Sequence, residues 1–156
     1  MVIAAGLMQC SSYREKMLEK DKRIISNLNL YMEQEALWVA AVSRMDSVAA
    51  RQAKDSIYKV LGSMDEIVIP AGKEKDSLYF AGVIRLREVL HMLNDSVYPD
   101  VDRIAFLPEM AFTWKEEEAL KQLVRTADSL IQLELENVFR LRQSFLQRHL
   151  PQQVCS

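Results

Sequence analysis

The sequence predicts an all-α fold, an antiparallel four-helix bundle with a long apolar loop before its last helix. Three observations carry this. Glycine and proline number only four each in 156 residues, so the chain has few breaks of its own. Apolar residues recur at steps of three and four, the period of a one-sided helix. The alternation that a half-buried strand needs is absent. At this length one domain buries roughly two-thirds of the surface of its unfolded chain, enough for a core without metals or staples. The expected organisation is an apolar segment over 1–11, a single helical domain over 12–150 and a tail over 151–156.

The first helix is expected over 12–46, where Ile24, Leu28, Tyr31, Trp38, Val42 and Met45 form a stripe. No glycine or proline falls between Gly6 and Gly62. One helix across that whole span would exceed ordinary globular lengths, so a turn is placed near Asp46–Ser47. A second helix over 48–67 follows, striped by Ala53, Ile57, Val60, Met64 and Ile67. Gly62, Pro70 and Gly72 then punctuate the chain. Tyr79, Val83, Leu86, Leu90, Leu93 and Val97 mark a third helix over 74–97. Pro99 and Pro108 bracket the apolar stretch 98–112, longer than most helix connections and expected as a loop. The last helix, 114–149, is the best signed. Thr113 and Glu116 have the spacing of a capping box. Glu116, Glu117 and Glu118 suit the positive end of the helix dipole, and Arg140, Arg142 and Arg148 the negative end. Joined antiparallel, the four helices bury their stripes together.

Composition narrows the partners. Net charge is −2, with no basic excess to neutralise phosphates, so nucleic acid is excluded as the leading partner. Cys10 and Cys155 sit near opposite ends and make neither a disulfide framework nor a zinc site. No phosphate-binding glycine loop, nucleophile elbow or spaced Cys/His pair is present, and a non-enzymatic chain without cofactor is expected. Glu88-Val89-Leu90-His91 has the Glu-x-x-His spacing of bundle metal sites. Yet Leu90 centres the stripe of that helix, so both polar side chains are expected toward solvent. The motif also does not repeat, because Leu146 stands three places before His149. Glu35 falls where its stripe calls for an apolar residue. A carboxylate carried inward must be paired or neutral. The expectation is a boundary residue that reaches solvent or pairs with an arginine.

Two regions point to partners. The 98–112 loop offers Ile104, Phe106, Leu107, Met110 and Phe112 as docking residues, or it caps the end of the bundle as a flap. The N-terminus is apolar from Met1 to Met8 and then reads Gln9-Cys10-Ser11-Ser12. An apolar run ending in cysteine before small polar residues looks like the end of a bacterial lipoprotein signal, with Cys10 the lipid-attachment residue. It lacks a basic start and has Gln9 where a small side chain is usual. If acylated, Cys10 makes 11–22 a tether between membrane and bundle.

Beyond residue 24 the layout resembles an uncharacterised family of small bacterial four-helix-bundle lipoproteins. The matching stretches are Leu30-Tyr31-Met32-Glu33-Gln34-Glu35, Ser63-Met64-Asp65-Glu66-Ile67, and 133–150 with Phe145 near its end. The resemblance implies a helical bundle attached to the cell envelope. The sequence departs from the pattern at the apolar insert 101–112 and at the cysteine box. The leading expectation is an envelope-anchored, non-enzymatic bundle that binds a protein partner or serves as a surface component. The rivals are a cytoplasmic adaptor docking through 98–112 and a ferritin-like metal-binding protein.

Overall fold

The computed structural model describes residues 3–67 and 77–150, with the side chains of 13–67 and 78–150. These residues are all-helical, and no strand occurs among them. The helices are α1 (Ile3–Ser43), α2 (Ser47–Glu66), α3 (Ser77–Met92), α4 (Tyr98–Ala105) and α5 (Trp114–His149). A π turn, Leu93–Val97, joins α3 to α4, and a 3-10 turn, Glu109–Ala111, precedes α5. No helix among the described residues is long and apolar enough to cross a membrane.

α1 begins upstream of residue 12, so the stretch 11–22, expected as a tether, is helical. On its inner face Met17, Asp21, Ile24, Leu28, Tyr31 and Trp38 are buried. They repeat every three and four residues in strict heptads, with Glu35 in the slot between Tyr31 and Trp38. The helix ends by geometry rather than by glycine. Asp46 N–H bonds the Ala41 carbonyl at 2.9 Å and Met45 N–H the Val42 carbonyl at 3.0 Å, the paired bonds of a Schellman motif. Met45 takes the left-handed conformation, φ 56°. Asp46 then caps α2 by accepting from Ala49 N–H at 2.9 Å, so the expected break near Asp46–Ser47 lies where the sequence puts it.

The segment 98–112, expected as a loop, is helical in its first half. Tyr98–Ala105 is helical and buries Tyr98, Val101, Ile104 and Ala105. Proline removes one donor, a small loss in the first turn of a helix, so Pro99 opens α4 instead of breaking it. It also accounts for the π turn. Pro99 has no N–H for the Asp95 carbonyl, and Tyr98 N–H bonds Leu93 O, five residues back. The Asn94 carbonyl this frees accepts from the Tyr58 hydroxyl at 3.0 Å.

α1 packs closely on α2, and α3 on α5. The two pairs meet over wider seams. Across the α2–α3 seam Asp65 Oδ1 lies 3.1 Å from His91 Nε2 and 3.5 Å from Arg87 Nε. Between α1, α3 and α5, buried Asp21 accepts from Tyr79 Oη at 2.7 Å and from Arg142 Nε and Nη2 at 2.7 and 2.8 Å. Phe145 is wholly buried, its ring centroid 4.9 Å from Tyr79 and 5.6 Å from Phe80. Thr113 and Glu116 form the expected capping box.

Candidate functional site

The α1–α5 seam is open to water. Between the C-terminal half of α1 and the N-terminal half of α5 runs a groove of about 800 Å³. One wall is Met32, Ala36, Val39 and Val42 of α1, with Met45 of the turn after it; the other is Leu120, Val124 and Ala127 of α5. Tyr98, Val101 and Ala105 of α4 form part of the lining, with Phe112. A further hollow of about 340 Å³ shares Met32, Glu35 and Asp128 with it and extends along α5 to Phe139. The walls are apolar yet open to water, with Val39 50% and Val124 40% exposed. A continuous apolar concavity of this kind is the ordinary mark of an interaction site.

Its floor is held by a polar network. Asn94, wholly buried by the π turn, donates through Nδ2 to Tyr31 Oη at 2.9 Å and to the Leu90 carbonyl at 2.8 Å. Its Oδ1 is buried without a hydrogen-bond partner among the described residues. Tyr98 donates its hydroxyl to Glu35 Oε1. Trp38 stacks on Tyr98 at 4.3 Å between centroids, and its Nε1 donates to Asp102 Oδ1 at 2.8 Å. Lys54 of α2 satisfies the other Asp102 oxygen at 2.9 Å. Burial pushes the Tyr31 and Tyr98 hydroxyls well above the usual phenol range, so neither is a phenolate: Tyr98 donates to Glu35 and Tyr31 accepts from Asn94.

Glu35 is the singular group. Loss of water raises its pKa; the Tyr98 hydrogen bond offsets part of that, and the negative Asp128 raises it again. Glu35 is half-buried, at the boundary where it was expected, and a tyrosine rather than an arginine is its hydrogen-bond partner. Among the residues lining the groove and its extension there is no lysine, arginine or histidine, while Glu35, Asp128 and Glu136 all line them.

Of the docking residues expected from sequence, the structure brings only Phe112 into the groove. Ile104 is 5% exposed and belongs to the core. Phe106 packs against the core and Leu107 is half-buried. Met110 is 98% exposed. Glu88 faces solvent, and His91, against Asp65, does not converge with it. Among the described residues no three His, Cys, Asp or Glu side chains gather as a metal site would require. Cys10 lies within the backbone span of α1, and its side chain is outside the described residues, as is Cys155. Val124 lies on the apolar stripe that the sequence marks along the last helix, yet it is 40% exposed in the groove; Val39 and Asp128, also groove residues, lie off the buried stripes and carry no signal of their own.

Compared with known proteins, the chain matches no family model, no curated protein and no solved structure.

Proposed function

We propose that this chain is a non-enzymatic, antiparallel four-helix bundle that binds a protein partner in the α1–α5 groove. One observation carries the reading: an elongated, water-exposed apolar concavity stands on a buried and hydrogen-bonded floor. Met32 to Ser43 spans about 16 Å of α1 at 1.5 Å per residue. That length suits a helix laid into a groove better than a compact ligand. Helix-in-groove recognition needs an apolar strip, and Val39, Val42, Leu120 and Val124 supply one. In the adaptor reading the partner would sit in the groove, which Tyr98, Val101, Ala105 and Phe112 of the 98–112 segment help to line.

The test is association in native extract. The wild-type chain should run in a complex larger than its monomer, and the V39E/V124E double variant should run as a folded monomer. Identical behaviour of the two would contradict the reading. The envelope anchor is a separate proposal, supported by the apolar run before Cys10 and by the lipoprotein resemblance. Intact mass after membrane fractionation decides it. A membrane-bound species starting at Cys10 and heavier by a diacylglyceryl or triacyl group supports the anchor; a soluble species retaining Met1 or Val2 removes it.

A further inference from the structure

α1 presents two inward-facing acids, Asp21 and Glu35, exactly two heptads apart on one stripe. Each accepts a hydrogen bond from a tyrosine hydroxyl across the bundle, Tyr79 for Asp21 and Tyr98 for Glu35. On α5, which meets α1 in the opposite sense, the same interval separates Arg142 from Asp128. At the first layer Arg142 closes the site with two bonds to Asp21, at 2.7 and 2.8 Å. At the second layer the α5 residue is Asp128, which opposes Glu35 instead of neutralising it. Glu35 is half-buried and Asp128 is exposed beside it on the groove wall; two carboxylates held together favour a cation between them, and no lining residue supplies one.

We infer that the groove takes the lysine or arginine of an amphipathic partner helix, seated between Glu35 and Asp128 where Arg142 stands at the Asp21 layer. The inference rests on the groove being a helix-docking site. Large apolar residues one turn to either side of that basic residue would lie along Val39 and Val124 on one flank and Ile131 on the other. Charge complementarity thus fixes the partner's chemistry and its register along the groove.

The test uses the full chain and an amphipathic peptide of about 15 residues, with leucine at three- and four-residue spacing, glutamine elsewhere and one central arginine. A second peptide carries norleucine in place of the arginine. Wild-type protein should bind the arginine peptide about tenfold tighter than the norleucine peptide, as a hydrogen bond to a charged group warrants. The E35Q/D128N variant should lose that discrimination. D128R should copy the closed layer, raise the melting temperature of the free protein and release the arginine peptide. Equal binding of both peptides to wild type would overturn the inference and leave helix docking standing. Binding of neither would overturn the docking reading together with it.

Discussion

The Tyr98 hydroxyl donates to the Glu35 carboxylate across the α1–α4 interface, at the floor of an apolar groove. The pair does two things at once. It holds Glu35 as an acceptor facing the seam, and it offsets only part of what burial costs a negative charge.

A dependence on pH follows from that balance. Glu35 has a higher pKa in the folded protein than in the unfolded chain. The folded state therefore binds more protons across the window between the two values, and stability rises as pH falls through it. At neutral pH the ionised group is a standing cost. Glu35→Gln should be more stable than wild type at neutral pH, with the difference shrinking as pH falls through the carboxylate range. Urea unfolding at several pH values measures this, and a difference that does not change with pH would count against it.

Tyr98→Phe should act in the opposite direction. It removes the donor from a half-buried carboxylate and keeps the ring that stacks on Trp38. A loss of about 1–3 kcal/mol is expected at neutral pH, the usual cost of stranding a buried charged acceptor. The loss should be much smaller when Glu35→Gln is already present, so a double-mutant cycle reads the pair directly.

The Asp21 layer should be far less tolerant. Arg142 satisfies both oxygens of an acid that is only 2% exposed. Arg142→Ala should cost about 3–5 kcal/mol, because the buried charge that remains has lost its cation. Replacing the pair together with Asp21→Asn and Arg142→Met should recover much of that in guanidinium denaturation. Failure of the single variant to destabilise would mean that Asp21 is solvated in solution.

Backbone conformation supplies a stabilising prediction. Met45 holds φ 56°, a conformation that costs an L-residue about 1–2 kcal/mol and glycine little. Gly62, by contrast, lies inside α2 with nothing within 4 Å of the place its Cβ would take. Met45→Gly and Gly62→Ala should each raise stability by about 1 kcal/mol, read as a rise in thermal midpoint. Gly82 is different, since a Cβ there would come within 2.9 Å of Leu141 Cδ1. Gly82→Leu should lower stability by forcing α3 and α5 apart.

Local rules carried most of the helices. Stripe spacing and the Thr113 capping box are properties of neighbouring residues, and they reappear in α2, α3 and α5. Pro99 misled because the same residue ends one helix and opens another. Telling these apart needs the π turn and the Tyr58 hydroxyl that satisfies the freed carbonyl. Glu35 was legible as an oddity on its stripe, but its partner was not, since Tyr98 lies 63 residues away. Asp21 was legible in principle, by running the heptad of Ile24 and Leu28 back one step. The groove itself had no local signature, because it depends on how far apart α1 and α5 are held.

Occupancy of the α1–α5 groove by a protein in the cell can be read directly. A photo-crosslinking amino acid placed at Val39 or Val124, with the exposed Gln143 as the control position, tests it most directly. The account predicts one discrete adduct from both groove positions, the same peptide of the same protein by mass spectrometry, and none from Gln143. No adduct at either groove position, or the same adducts at Gln143, would contradict it.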